Sequence, residues 1–148
     1  MRAVIQRVSS ARVEVGEEVV GEIGAGLLVY VGVGPDDDSA DAAAMANKIR
    51  YLRIFPDEAG KMNLDIVQAD GKGLVVSNFT LYADLSQGRR PAFTGAAAPG
   101  KAKELYQEVV SLLRQSGVGV ETGRFGAMMR VISENAGPIN VLFDTKGS

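Results

Sequence analysis

The chain has no cysteine, no histidine and no tryptophan. Without cysteine there is no disulfide framework, thiol nucleophile, iron–sulfur cluster or thiolate zinc site. Without histidine there is no imidazole base, so Ser-His-Asp and Cys-His arrangements are excluded. Zinc would find only oxygen ligands, which is uncommon. We therefore expect no metal and no cofactor. The chemistry is left to hydroxyls, carboxylates, amines, backbone groups or the substrate itself. Neither sign of charge dominates: 16 Lys and Arg stand against 18 Asp and Glu, a net charge of −2. That balance argues against broad nucleic-acid binding, DNA included, but leaves room for a small basic patch. No apolar run approaches a membrane span. The opening Met1–Val8 is broken by charge too early for a signal peptide. A soluble cytoplasmic protein is the expectation, and 148 residues suit a single domain over 1–148.

What is present reads as strands, then helix, strand, helix and strands. Val13-Glu14-Val15 alternates at period two, Gly16-Glu17-Glu18 is a turn, and Val19, Val20 and Ile23 continue the pattern. Leu27–Val31, wholly apolar and bounded by glycines, predicts a buried central strand. Pro35–Ser39 signals a helix start, with Asp36 and Asp37 read as capping residues. Ala42, Met45, Ala46, Ile49 and Leu52 carry the helical spacing to about Arg53. Residues 57–73 look irregular. Leu74–Tyr82 predicts one strand, followed by a long loop from Asp84 to about Pro99. A second helix is expected from near Gly100 to Gln115, then strands at Val118–Glu121, Met128–Ser133 and Ile139–Phe143. The order predicts an α+β fold: a mainly antiparallel sheet or open barrel with two principal helices.

Four segments are candidates for chemistry. Ser77-Asn78-Phe79-Thr80 puts two hydroxyls and an amide in an apolar context. They line a polar pocket, or the hydroxyls bond to neighbouring backbone; the sequence leaves both open. A Thr80 nucleophile would need a base, and no histidine exists to serve. Arg89-Arg90-Pro91 offers two guanidinium forks suited to phosphate, or a solvated pair. Phe125 and Met129 suit a pocket wall, although core packing explains them better. Gly137-Pro138 marks a turn, and on residue type alone a trans bond is expected.

Taken together the motifs are not independent. Ser77–Ala83, Gly88–Phe93, Thr122–Met129 and Asn135–Pro138 occur in order, and with Met1–Val8 the chain resembles the D-aminoacyl-tRNA deacylase family over its whole length. The resemblance implies a homodimer that hydrolyses the ester of D-aminoacyl-tRNA and of glycine mischarged on the tRNA for alanine. It implies that Ser77, Phe79 and Thr80 line the aminoacyl pocket, with Asn78 beside them and Phe125 and Met129 as walls. It implies a cis Gly137–Pro138 bond that enters the partner's pocket and excludes L-residues by collision. Arg89 and Arg90 would then lie near tRNA phosphates. The resemblance offers two accounts of the chemistry: attack by Thr80, or assistance by the 2′-hydroxyl of the terminal adenosine with backbone N–H groups holding developing charge. Asn78, Ala92 and Asn140 depart from the family's usual Gln, Ser and Thr. Those departures keep a rival open, a tRNA-end binding module with little or no turnover. A small esterase acting on free D-amino acid esters is a third reading.

Overall fold

The long first strand is the spine. In the structure, a computed structural model that describes residues 1–147, β1 (Arg2–Val15) pairs on one edge with β8 (Arg130–Asp144) along nearly its whole length. Its other edge is shared. Residues 2–8 pair with β3 (Gly26–Gly32), and residues 11–15 with β2 (Glu18–Ile23), all antiparallel. From β3 the sheet continues in parallel through β6 (Lys72–Ser77) to β7 (Gly119–Thr122). β2 then packs back against β7 so closely that a Cβ on Gly21 would collide with the Thr122 carbonyl, and the sheet is nearly closed. The antiparallel expectation holds for β1, β2, β3 and β8. The parallel half was not foreseen, and it follows from two helical crossovers, because parallel neighbours need a connection long enough to return. These crossovers are α1 (Ser39–Tyr51) and α2 (Pro99–Gln115). Two short strands pair: β4 (Phe55–Pro56), just before the segment 57–73 expected to be irregular, and β5 (Met62–Leu64), inside it.

Both faces of the sheet are buried, which explains why β3 is continuously apolar. Leu27, Val29 and Val31 join Met45, Ile49, Val109 and Leu113 under the helices. Leu28, with Val8, Val13, Leu74 and Val76, forms a second cluster on the other face.

Capping at α1 falls to Asp38, not to Asp36 or Asp37. Its carboxylate accepts the N–H groups of Ala40 and Asp41, and Asp41 reciprocates at the Asp38 N–H. Asp37 is buried and instead accepts from the Met1 amine at 2.8 Å and from the Gly34 N–H at 2.6 Å. Asp41 ties α1 to the end of β8. The Thr145 hydroxyl donates to it at 2.7 Å and the Lys146 ammonium at 3.0 Å, and these bonds hold its carboxyl well below the ordinary 3.8. A depressed folded-state value contributes stability above the unfolded-state value and loses it as pH falls. Stability should therefore decline as pH drops below about 4. Thr145→Val should move the acid unfolding midpoint to higher pH; circular dichroism followed against pH measures it. An unchanged acid limb would show that the Thr145 bond contributes nothing to it.

Candidate active site

β6 ends early. The expected strand over Leu74–Tyr82 stops at Ser77, and Phe79–Tyr82 coils into a 3₁₀ helix. Two causes are visible. Its neighbour β3 ends at Gly32, so the ladder runs out after the Asn78 N–H donates to the Val31 carbonyl at 2.8 Å. Asn78 then caps the new helix, its Oδ1 accepting the Thr80 N–H at 3.2 Å, the local alternative that short amide side chains offer the backbone. The turn settles onto β3, where a Cβ on Gly32 would stand 3.0 Å from the Asn78 carbonyl oxygen and the Leu81 Cβ. Arg2 clamps it from the side: one guanidinium nitrogen donates to the Leu81 carbonyl at 3.1 Å, another to Asp144 at 3.1 Å, and the group lies 4.4 Å from the Tyr82 ring centre.

This turn re-aims the polar side chains that period two would have spread over both faces of a strand. Phe79 is 56% exposed and meets Phe93 of the following loop edge-to-face at 5.3 Å. The Thr80 hydroxyl is exposed and donates to Asn78 Oδ1 at 2.5 Å. Of the two readings left open for Thr80, a local bond is the one observed, although to a side chain and not to backbone. Ser77 sits half-buried at the strand end. Asn78, one methylene shorter than glutamine, is spent on the cap and on Thr80. Ala92 needs no side chain to hold its loop, since its backbone exchanges two hydrogen bonds with Asp84, at 2.7 and 3.0 Å. Arg89 and Arg90 are exposed on that same loop.

The C-terminal ends of parallel β6 and β7 lie side by side, with Val75 opposite Thr122. The turn after β7 therefore emerges beside Ser77. From it Phe125 packs toward Tyr106 at 6.1 Å on the helix side. Met129 packs with the cluster on the other face. Tyr106 donates its hydroxyl to the Val75 carbonyl at 2.7 Å, and burial pushes its phenol up to about 12.

Gly137 and Pro138 do not form a turn between two strands. β8 runs unbroken as one strand from Arg130 to Asp144, and the pair forms a bend within it, opposite Arg7, joined by a cis bond where residue type alone predicts trans. Side chains replace the lost ladder. Asn135 Nδ2 donates to the carbonyls of Arg7 and Ile139, and Arg7 donates to the carbonyls of Ala136 and Ile54. The bend is exposed. Within one chain it is remote from Ser77–Thr80. Three strand spacings separate β8 from β6, about 14 Å of sheet. Ser77, Asn78, Phe79 and Thr80 come together; Gly137 and Pro138 do not join them. Sequence reasoning missed Arg2, Arg7 and Tyr106. Arg2 and Arg7 lie in a segment that reads only as an edge of charge, and Tyr106 reads as one more residue of a helical stripe.

The architecture defines the class: an α+β fold whose candidate site lies at the carboxyl ends of its parallel strands, where ligand sites of α/β sheets are commonly found. A family profile described as D-Tyr-tRNA(Tyr) deacylase matches residues 4–144. A D-aminoacyl-tRNA deacylase of Bacillus licheniformis is 56% identical over 146 residues, covering 99% of each chain. One from Thermotoga petrophila is 54% identical, covering 98% of this chain and 97% of its own. Among solved structures, a c-Myc DNA unwinding element binding protein superposes with a TM-score of 0.93 at 34% identity, covering 98% of this chain and 99% of that one. A probable eukaryotic D-amino acid tRNA deacylase, 17% identical, shares the fold with a TM-score of 0.81 over 96% of this chain and 97% of its own. The chain belongs to the D-Tyr-tRNA(Tyr) deacylase family, a family of hydrolases. Among the described residues no helix is long and apolar enough to cross a membrane.

Proposed function

We propose that this protein hydrolyses the ester joining a D-amino acid, or glycine mischarged on the tRNA for alanine, to the 3′ end of tRNA in the cytoplasm. The full-length identity to enzymes of that name carries the reading. Water attacks the ester carbonyl, the bond to the ribose oxygen breaks, and that oxygen leaves with a proton as free tRNA and free amino acid. Phe79, Phe125 and Met129 supply apolar walls, with Ser77 and Asn78 at the strand end. Backbone N–H groups at the site hold the developing oxyanion; the Thr80 N–H can join them only by giving up its bond to Asn78 Oδ1.

Thr80 has no base. Its hydroxyl donates to Asn78 Oδ1, and an amide oxygen is too weakly basic to activate it. That favours the substrate's own 2′-hydroxyl as the assisting group. Selection against L-residues falls to the Gly137–Pro138 bend of a second copy, because the bend is too far across the sheet to serve its own chain. An L-side chain collides with it, whereas hydrogen or a D-side chain does not. Two copies would complete two sites.

Single-turnover deacylation of D-Tyr-tRNA beside L-Tyr-tRNA tests this. Release from the D-ester alone is expected. Thr80→Val should keep activity within about tenfold of wild type, less than the roughly 10²- to 10⁴-fold that a general acid or base supplies; complete loss with intact binding would restore Thr80 as the nucleophile. A second reading, binding without turnover, is favoured by one observation, the commitment of Asn78 to its own turn. It predicts retained tRNA binding and no release from either ester.

A further inference from the structure

A groove of about 640 Å³ runs along α2 where that helix faces the turn after β7. Lys103, Gln107, Ser111, Arg114 and Gln115 line one side, and Arg124 and Phe125 the other, with Tyr106 as floor. It begins at Phe125, which the proposed function makes a wall of the site. Lys103 to Gln115 spans twelve helical steps, about 18 Å.

The charge in this groove is sorted. The chain is net negative, yet three cations line the groove and, among the described residues, no carboxylate does. The acidic residues of α2, Glu104 and Glu108, are one turn apart on a different row of the helix. Glu108 accepts from Ser39 on α1, away from the groove. Arg114 is fixed across the groove by its bond to the Val120 carbonyl at 2.9 Å. Arg124 meets Glu18 at 3.3 Å, an exposed pair of the kind worth little. Its guanidinium can exchange that partner for a phosphate, with which it makes a bidentate fork. Among the remaining lining, Gln107, Ser111, Gln115 and Thr122 offer amides and hydroxyls suited to sugar hydroxyls, and Val110 and Phe125 are apolar.

We propose that this groove seats the sugar–phosphate backbone of the RNA acceptor stem, guiding the 3′ end past Phe125 into the site. The inference rests on the deacylase reading and adds where the rest of the substrate lies. Lys103 and Arg114 stand eleven helical steps apart, about 16 Å, with Arg124 facing them across the groove; a lone nucleotide does not need cations spread over that length, and a polyanionic strand does.

The test uses Lys103→Gln with Arg124→Gln in one variant. Arg114 is left intact because it ties α2 to β7. Two substrates are compared, full-length D-Tyr-tRNA and the D-Tyr ester of adenosine. For tRNA, KM should rise tenfold or more with kcat held, and the salt dependence of log kcat/KM should flatten by about two, one for each lost phosphate contact. Kinetics on the adenosine ester should not change. Equal losses on both substrates, or an unchanged KM and salt slope for tRNA, would overturn the proposal. If wild type cleaves neither ester, the deacylase reading fails and the groove is judged by direct binding of uncharged tRNA. Weaker binding by the variant upholds it, and equal binding removes it.

Discussion

Gly137→Ala should collapse the preference for D- over L-aminoacyl-tRNA by roughly 100-fold while leaving the protein folded. Gly137 sits at a φ of +130°, a region that a side chain enters only with strain. A Cβ there would lie 2.8 Å from the Ile139 Cγ1 and 3.1 Å from an Arg7 guanidinium nitrogen. Arg7 cannot retreat freely, since it is held by the Ala136 and Ile54 carbonyls. The bend must shift instead. A displacement of about 1 Å is enough to cost two orders of magnitude where geometry decides the outcome. Gly16→Ala is the control. Gly16 also has a positive φ, of +60°, but nothing lies within 4 Å of its added Cβ. It should lower thermal stability and leave discrimination untouched. Parallel hydrolysis of D- and L-Tyr-tRNA by both variants decides the matter; unchanged discrimination in Gly137→Ala would remove the bend from the selection step.

Leu142→Asp should turn the dimer proposed above into monomers and silence both of its sites. Leu142 is 78% exposed on β8, paired with Val4 of β1, next to a hollow of about 310 Å³ lined also by Leu81 and Phe143. An apolar side chain this bare on a strand is a natural seat for a second copy. In a two-fold interface the loss is counted twice. Burying one leucine contributes about 1.5–3 kcal/mol, so two contribute about 3–6, and the dissociation constant should rise about 10²- to 10⁴-fold. Sedimentation measures the association state, and turnover by the same samples should fall with the dimer fraction. A variant that stays dimeric would place the interface elsewhere. A monomer with full activity and full D-preference would end the idea that the second copy completes the site.

The fold was legible wherever one physical signal acted alone. The run Leu27–Val31 can only be buried, and the stripe from Ala102 to Leu113 can only be one face of a helix. The site was legible as motifs but not as geometry. Alternation over Leu74–Tyr82 suggested a strand, yet Asn78 intercepts it with a cap, a competition between side chain and ladder that hydropathy does not register. Asn135–Pro138 read as a break between strands. The ladder survives it because Asn135 and Arg7 replace the missing backbone bonds from opposite strands. The groove cations were invisible for another reason. Lys103, Arg114 and Arg124 stand ten or eleven positions apart among Glu104, Glu108 and Glu121 and read as an ordinary solvated mix of charge; only the packing of α2 beside the turn after β7 sets Arg124 across from the two helix cations.

The spine strand has a consequence for how this protein is made. β1 leaves the ribosome well before β8, its partner along one whole edge, with Arg2 opposite Asp144. About 115 residues separate the two strands, roughly 6–23 s of synthesis at ordinary rates. Throughout that interval the nascent chain carries an open strand edge bordered by Val4, Val8 and Val13, the kind of edge that invites pairing with other chains. Sheet closure therefore waits for the last strand. Messages truncated before Arg130 should yield aggregates instead of partly active fragments, and chaperone demand should fall on the first strand of the protein, not the last.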